Sequence, residues 1–251
     1  MNENTNATAA AKFTEFIRNE LKGWKAGEIF WLIFANAALL AISLYLHDTP
    51  VSILASLTGV TCVILVGKGK MSNYIFGTVN VLLYACVAWK AKYYGDVMLN
   101  LAYYFPTNIL GWFMWKKNID TETQVVQKKR MTVRQDIAVA VLSAAGIFGY
   151  SWVLKLLGGN LPLVDSMSTV LSVVAQILMI KRFTEQWIVW ILVDAVSVIM
   201  WVVAFMNEGD SVAVLLMWII FLLNAVIMFI KWYRESAEEK TENPVKKTVQ
   251  E

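Results

Sequence analysis

The chain of 251 residues is 58% hydrophobic and only 16% charged, and its mean hydropathy is +0.54. Soluble domains carry about a quarter charged residues, so this composition predicts an integral membrane protein. The net charge of +3 comes from basic residues dispersed between apolar runs, which argues against a nucleic-acid partner. Two cysteines and one histidine cannot assemble a zinc or haem site, so we expect no metal and no cofactor.

The first 27 residues are too polar for a signal peptide, but they are amphipathic. In "KFTEFIRNELKGW" one helical face collects the apolar side chains Phe13, Phe16, Ile17, Leu21 and Trp24. This pattern predicts a short cytoplasmic helix on the membrane surface over residues 1–27, with a mobile tail as the alternative. At the other end of the chain, residues 233–251 are charged and are predicted to form a disordered cytoplasmic tail.

Eight apolar runs are long enough to cross about 30 Å of hydrocarbon. They cover approximately residues 28–46, 50–67, 72–91, 96–115, 134–156, 163–181, 186–206 and 211–232. With the N-terminus inside, 19 of the 22 Lys and Arg residues fall on the cytoplasmic side, and only Lys90, Lys92 and Lys155 fall outside. The positive-inside rule therefore predicts eight spans with both termini in the cytoplasm.

Spans two to four match spans six to eight at an offset of 114 residues. This offset aligns Gly95-Asp96 with Gly209-Asp210, Lys68 with Arg182, and Asn80 with Asp194. Four crossings separate the two starts, so the halves point the same way, and such parallel repeats place a substrate site near the midplane. We therefore expect an extra helix at 28–46, a three-helix half at 50–115, a connector at 134–156 and a second half at 163–232.

Span seven places polar and aromatic side chains on one face. At about 100° per residue, an arc of about 80° in "EQWIVWILVDAVSVIMW" holds Trp187, Trp190, Asp194, Ser197 and Trp201. An ionisable residue at membrane depth usually faces a cavity or a partner. Because indoles stack on rings and attract cations, and a carboxylate binds hydroxyls or positive charge, this face suits a flat, hydroxylated or cationic ligand. The alternatives are a protonated structural aspartate at Asp194 and an aromatic-belt position for Trp187.

Further embedded polar residues join this candidate substrate site. They are Asn80 and Tyr84 in span three, Asn100, Tyr104 and Asn108 in span four, Gln176 in span six, and Trp218 and Asn224 in span eight. Pro106 breaks the backbone hydrogen bonding of span four, which is tolerated where a helix lines a cavity or packs against protein. For any single Asn or Gln, the alternative is a hydrogen bond that only joins helices.

Three stretches resemble a known family, the bacterial PnuC vitamin transporters. They are "TGVTCVILVGKGKMSNYIFGTVNVLLYA", "YGDVMLNLAYYFPTNILGWFMW" and "LSVVAQILMIKRFTEQWIVWILVDAVSVIMW", and the resemblance covers roughly residues 52–232. Trp187, Trp190 and Asp194 correspond to the family's substrate-binding stretch. Gln176, Asn100 and Tyr104 match its embedded polar positions.

The resemblance implies a SWEET-like arrangement of three, one and three helices, which agrees with the repeat. It further implies uptake of nicotinamide riboside, a precursor of NAD, by facilitated diffusion across a bacterial inner membrane. Cytoplasmic phosphorylation would then trap the vitamin. Members of the family form homo-oligomers, so we expect an oligomer, a trimer by this resemblance, embedded in membrane lipid.

Other functions stay open at this stage. Relatives in the wider group are thought to carry thiamine or riboflavin, and a sugar carrier would want more hydrogen-bonding groups per aromatic. A membrane enzyme would need a convergent base, nucleophile or metal set, and the sequence has no paired carboxylates at membrane depth. A sensor would normally carry a cytoplasmic output domain. We therefore expect a transporter and not an enzyme.

Overall fold

The computed structural model describes residues 2–156, 162–208 and 212–248, and most of them are helical. The helices are α1 (Asn2–Leu21), α2 (Ala26–Tyr45), α3 (Pro50–Lys68), α4 (Asn73–Lys90), α5 (Tyr94–Met98), a π-helix (Leu99–Tyr104), α6 (Phe105–Lys116), α7 (Val133–Leu156), α8 (Pro162–Ile180), α9 (Gln186–Glu208) and α10 (Val212–Thr248). The all-α fold class is therefore confirmed.

The turns between helices follow from local backbone chemistry. The Thr49 hydroxyl caps α3 by accepting a hydrogen bond from the N–H of Ser52 at 3.2 Å, and Pro50 occupies the first turn. α3 ends at Gly69, whose φ of 81° lies in the left-handed region that glycine adopts without steric cost. The chain then reverses into α4, so α3 and α4 pack side by side.

Six described helices are long and apolar enough to cross a membrane, namely α2, α3, α7, α8, α9 and α10. The stretches predicted as spans three and four differ from these six. α4 has 18 residues but carries several polar side chains, and the stretch from Tyr94 to Lys116 is divided into α5, the π-helix and α6. A protein with several apolar helices is thus confirmed, whereas the count of eight crossings stays a prediction.

The interruption predicted near Pro106 takes the form of the π-helix over Leu99–Tyr104. Proline has no backbone N–H to donate, so the preceding turn lacks a regular α-helical hydrogen bond and widens. The wider turn lies where Asn100 is buried and Tyr104 approaches α9. A single proline therefore shapes the segment that faces the second half.

The chain termini differ in part from expectation. α1 forms in the amphipathic N-terminal segment, and its Phe16 packs against Trp112 with ring centroids 6.0 Å apart. α10 continues to Thr248, into the segment from residue 233 that was predicted as a disordered tail. Residues 233–240 include Arg, Glu, Ala and Lys, which are strong helix formers that extend a helix already nucleated in the membrane. Gly209-Asp210, half of the predicted repeat match, lies outside the described residues.

One end of the bundle contains the basic turns at 68–72 and 181–185, and we call it the basic end. Two buried apolar clusters fill the bundle. The cluster at the basic end includes Trp115, Trp187 and Trp232, and the second includes Tyr84 and Trp201. Large aromatic side chains therefore lie on both sides of the middle of the bundle.

Residues 117–132, between α6 and α7, form a strap across the basic end. The N–H of Val126 donates to the carbonyl of Gly69 at 2.9 Å, and the N–H of Lys129 donates to the carbonyl of Arg182, also at 2.9 Å. The strap therefore bonds to the basic turns of both predicted halves. The Lys70 ammonium donates to the carbonyl of Gln124 at 3.0 Å, and burial lowers the pKa of Lys70 to about 8.

The predicted halves interlock through their first and last helices. α3 packs on α10, while α8 packs on α6 and the π-helix, so each first helix contacts the last helix of the other half. Within the halves, α3 packs on α4 and α8 on α9. α2 lies against α3 and α10, on the outside of this arrangement. The space enclosed between the halves is lined by α3, α4, the π-helix, α6, α8, α9 and α10.

Gly111 permits a close approach between α6 and α4. A Cβ atom there would lie 2.6 Å from Cζ of the buried Tyr74 ring, which itself packs edge-on against Trp115. Gly111→Ala should therefore displace Tyr74 and cost about 1–3 kcal/mol of stability, despite the better helix propensity of alanine.

The measurement is the midpoint of thermal unfolding of purified protein in detergent. Gly149→Ala is the matched control, because no atom lies within 4 Å of a Cβ at that helical position. We expect a lower midpoint for Gly111→Ala and an unchanged or slightly higher one for Gly149→Ala. Equal midpoints for the two variants would contradict the close packing at Gly111.

Candidate substrate site

A single cavity between the two predicted halves collects ten of the eleven residues in the predicted site. The ten are Asn80, Tyr84, Asn100, Tyr104, Asn108, Gln176, Trp187, Trp190, Asp194 and Trp218. They come from α4, the π-helix, α6, α8, α9 and α10, so no single helix forms the site. Residues more than 130 positions apart in the sequence thus meet at one place.

The α9 wall places a carboxylate beside two indoles. Trp187, Trp190 and Asp194 all line the cavity, as the helical arc predicts. Asp194 is buried, and among the described residues none donates a hydrogen bond to its carboxylate or forms an ion pair with it. The indole N–H of Trp187 also lacks a hydrogen-bond partner there. A buried acceptor and a buried donor are therefore left for a ligand or for water.

Trp201 differs from the other tryptophans of the arc. Its indole N–H donates to the Tyr84 hydroxyl at 3.1 Å, and that hydroxyl donates to the Asp96 carboxylate at 2.9 Å. Trp201 is buried behind Tyr84 and does not line the cavity. Trp201 therefore supports the cavity wall from behind and does not form part of its surface.

The α4 wall holds Asn80, the predicted repeat partner of Asp194. Its side-chain amide donates to the carbonyl of Ala55 in α3 at 2.8 Å, which leaves the amide oxygen without a protein partner in the described part of the chain. At Gly59, an added Cβ would lie 2.7 Å from the Asn80 amide nitrogen and 2.8 Å from the Met217 sulfur. Gly59 therefore makes room for Asn80, and the aligned residues of the two halves do share one cavity.

Amide side chains join the two halves on the α6 side. Gln176 in α8 donates to the Asn108 amide oxygen at 3.1 Å and to the Thr107 hydroxyl at 3.3 Å. Asn100 in the π-helix is anchored to the preceding α5, since its amide donates to the carbonyl of Asp96 at 2.8 Å. These bonds fix the orientation of amide groups along the wall.

Aromatic side chains bound the cavity on two sides. Tyr104 lies 6.4 Å from Trp190 between ring centroids, next to the Asp194 carboxylate on α9. On the other side, Trp218 packs edge-on against Tyr84, with centroids 6.0 Å apart, and against Phe221 at 5.3 Å. A flat molecule in the cavity would therefore have aromatic faces or edges on both sides.

Asn224 is the predicted site residue that the cavity leaves out. Its amide donates to the carbonyl of Val63 at 3.1 Å, and its oxygen accepts from the Trp31 indole at 3.2 Å. It therefore joins α2, α3 and α10, which is the structural alternative stated for embedded amides. Its neighbour Ala225 lines the cavity instead.

The rest of the cavity lining is apolar or small and was not predicted from the sequence. It consists of Gly59, Cys62, Val63, Val66, Gly77, Val81, Met179, Met217, Phe221 and Ala225. Apolar residues in a membrane helix look alike whether they face lipid, protein or a cavity, so no sequence signal separates them. Among the lining residues, Asp194 carries the carboxylate, and no Lys or Arg lies beside it in the lining.

Comparison with known proteins identifies the family of this chain. A family model described as nicotinamide mononucleotide transporter matches residues 49–234. The chain belongs to this family.

Relatives of this family carry the name that the resemblance suggested. The nicotinamide riboside transporter PnuC of Neisseria mucosa is 40% identical over 215 residues, covering 84% of this chain and 82% of the relative. The PnuC of Haemophilus influenzae is 32% identical and covers 84% of this chain and 92% of its own length. A crystal structure of the vitamin B3 transporter PnuC matches with a TM-score of 0.81 at 37% identity, covering 89% of this chain and 98% of that one.

The extent of the family match agrees with the division of the bundle. It begins at the cap of α3 and ends within α10, so it spans every helix that lines the cavity. α1 and α2 lie outside it, as the sequence analysis expected for the extra first helix. The PnuC family assignment is therefore confirmed from the sequence and the fold together.

Proposed function

We propose that this chain is a membrane transporter of nicotinamide riboside, and that the cavity between its halves is the substrate site. The observation that carries the proposal is the unpaired Asp194 carboxylate in the same cavity wall as Trp187 and Trp190, in a lining without basic side chains. Nicotinamide riboside is a flat pyridinium cation joined to a ribose. Its ring suits aromatic stacking and cation–π attraction, and its positive charge or hydroxyls suit the carboxylate.

The charge of the cavity favours the riboside over the mononucleotide named in the family description. The mononucleotide carries an additional phosphate, which needs cationic or N–H donors when it is removed from water. The lining offers no Lys or Arg, and a phosphate near Asp194 would be repelled. The names of the Neisseria and Haemophilus relatives agree with this preference.

We propose eight crossings with a SWEET-like three, one and three arrangement after α2. α4 is about 27 Å long at 1.5 Å per residue, close to the thickness of a hydrocarbon core. The stretch from Tyr94 to Lys116 is longer, even though it contains a π-helix. With the basic end in the cytoplasm of a bacterial cell, both termini face inward. In the proposed trimer, α7 offers a largely uncovered surface to neighbouring copies, since Ser143 is its one buried residue.

Transport requires the cavity to open alternately at its two ends. Towards the basic end, Trp187 packs edge-on against Trp232, whose indole donates to the carbonyl of Gly67 at 2.8 Å. Towards the opposite end, Tyr84 and Trp201 form the hydrogen-bonded layer described above. We propose facilitated diffusion through these layers, with cytoplasmic phosphorylation of the vitamin preventing its return.

The first test is a titration of purified protein with nicotinamide riboside, its mononucleotide, thiamine, riboflavin and nicotinamide. We expect the riboside to bind best and the mononucleotide to bind about tenfold or more weakly, because its phosphate has no cationic partner in the cavity. Trp190→Ala should weaken riboside binding about tenfold or more, since ring stacking contributes about 1–3 kcal/mol.

Trp152→Ala serves as the matched control, because Trp152 is 65% exposed on α7 and no residue of α7 lines the cavity. Calorimetry should give this variant the affinity of the unmodified protein. Tighter binding of thiamine or riboflavin would replace the proposed substrate. Unchanged affinity in both Trp190→Ala and Trp187→Ala would remove the indole face from the site.

A second test separates hydrogen bonding from proton transfer at Asp194. Its repeat partner Asn80 cannot titrate, so we expect Asp194 to act by polar contact with the ligand. Asp194→Asn should retain measurable transport, with affinity reduced by about 1–2 kcal/mol, or roughly 5-fold to 30-fold. Asp194→Leu should be much worse because it removes the acceptor altogether. Uptake is compared at matched expression. An Asn variant as inactive as the Leu variant, with normal ligand binding in both, would assign the carboxylate a proton-linked role.

A third test concerns the energetics of uptake. In proteoliposomes the riboside should reach equal concentrations inside and outside, and it should accumulate only when a phosphorylating enzyme and its phosphate donor are enclosed. Radiolabelled substrate measures both conditions. Accumulation driven by an imposed proton or sodium gradient would contradict facilitated diffusion, and Asp194 would be the first candidate for coupling.

A further inference from the structure

A groove opens at the basic end on the outer face of the bundle, between the start of α2, the end of α3 and α10. It is separate from the substrate cavity and shares none of its lining residues. Its polar part includes Lys25, Glu28, Lys68 and Lys231, and its apolar part includes Trp24 and Phe30. The groove therefore combines ammonium groups and apolar surface within one depression.

The polar part carries an excess of positive charge. Glu28 is shared by two lysines, with one carboxylate oxygen 2.6 Å from the Lys231 ammonium and the other 2.6 Å from that of Lys68. The third lysine, Lys25, forms no ion pair among the described residues. Glu235, at the rim, is already paired with Lys128. Three ammonium groups thus face one available carboxylate, so an anion would complete the charge balance.

The apolar part lies where lipid chains would be. Phe30 is 67% exposed on α2, and Ile227 is 44% exposed on α10. Trp31 is held in the groove wall by its hydrogen bond to Asn224, which keeps the gap between α2 and α10 in place. Trp24 lies at the polar margin, with the Lys68 ammonium 5.8 Å from its ring centroid. Tryptophan and lysine at such a margin are typical of the membrane–water interface.

We infer that this groove binds an anionic phospholipid of the leaflet at the basic end, with its phosphate near Lys25 and Lys231 and an acyl chain along Phe30 and Ile227. Basic pockets between membrane helices on the cytoplasmic side bind acidic lipid headgroups in this way. A free anion would use the ammonium groups but would leave the adjoining apolar surface without a partner. A lipid satisfies both parts of the groove at once.

The experiment uses the full-length protein with phosphatidylglycerol as the anionic probe and phosphatidylcholine as the neutral one. Native mass spectrometry across a lipid titration counts the bound molecules and gives the affinities. We expect phosphatidylglycerol to be retained in preference to phosphatidylcholine. Lys25→Gln should weaken its binding about fivefold and Lys25→Glu about 25-fold, since each interfacial charge contributes about one such factor.

Lys25 suits this test because its replacement breaks no ion pair among the described residues. Lys116→Gln and Lys116→Glu are matched controls, since Lys116 is exposed at the same end but lies outside the groove. They should leave lipid binding unchanged. Phe30→Ser should weaken binding of the long-chain lipid, whereas soluble glycerol phosphate should fail to displace it.

Four results would overturn the inference. They are equal retention of the two lipids, equal losses in the Lys25 and Lys116 variants, displacement of the lipid by glycerol phosphate, and loss of lipid on self-association of the protein. The last would mean that a second copy of the chain fills the groove. None of these readouts depends on the transported substrate, so failure here is distinguishable from failure of the proposed transport function.

Discussion

Hydrocarbon offers no hydrogen bonds, so polar groups at membrane depth must find partners inside the protein, and this constraint organises the bundle. Asn80 reaches the carbonyl of Ala55, Gln176 reaches Asn108, and Tyr103 donates to the carbonyl of Val173 at 2.8 Å. Each bond joins two helices as well as satisfying a donor. Asp194 differs from these three residues because its neighbours supply no such partner in the described part of the chain. A carboxylate left in this condition is tolerable where a polar or cationic ligand can enter.

The buried tryptophans have one of two roles, which differ in whether the indole N–H donates a hydrogen bond to a protein oxygen. The indoles of Trp115, Trp201 and Trp232 donate to protein oxygens, at 3.1, 3.1 and 2.8 Å, and all three are fully buried. They act as rigid supports behind the cavity. Trp187 lines the cavity and keeps its N–H unpaired. The supporting indoles therefore hold the recognition surface in shape without occupying it.

Sequence periodicity could predict the α9 face, because helical geometry alone places Trp187, Trp190 and Asp194 together. It could not separate Trp201 or Asn224 from the cavity residues, since their environment depends on where α2, α4 and α10 pass. Composition alone does not decide between disorder and helix in residues 233–248, because the same charged residues have a high helix propensity and α10 extends over them. The strap has no periodic signal at all. Its position depends on backbone hydrogen bonds to turns that lie more than 50 residues away in the chain.

The two ends of the cavity are covered by different kinds of contact. Towards the opposite end, the Tyr84 layer consists of side-chain contacts, which rotamer changes can break one at a time. At the basic end, the strap is bonded by backbone groups to both halves, through Gly69 and Arg182. If the halves separate there, the strap must release one basic turn or move with it. Each such bond is worth only about 1 kcal/mol net, because water replaces it on opening. In the proposed transport cycle, the strap would therefore limit how far the two halves separate at the basic end.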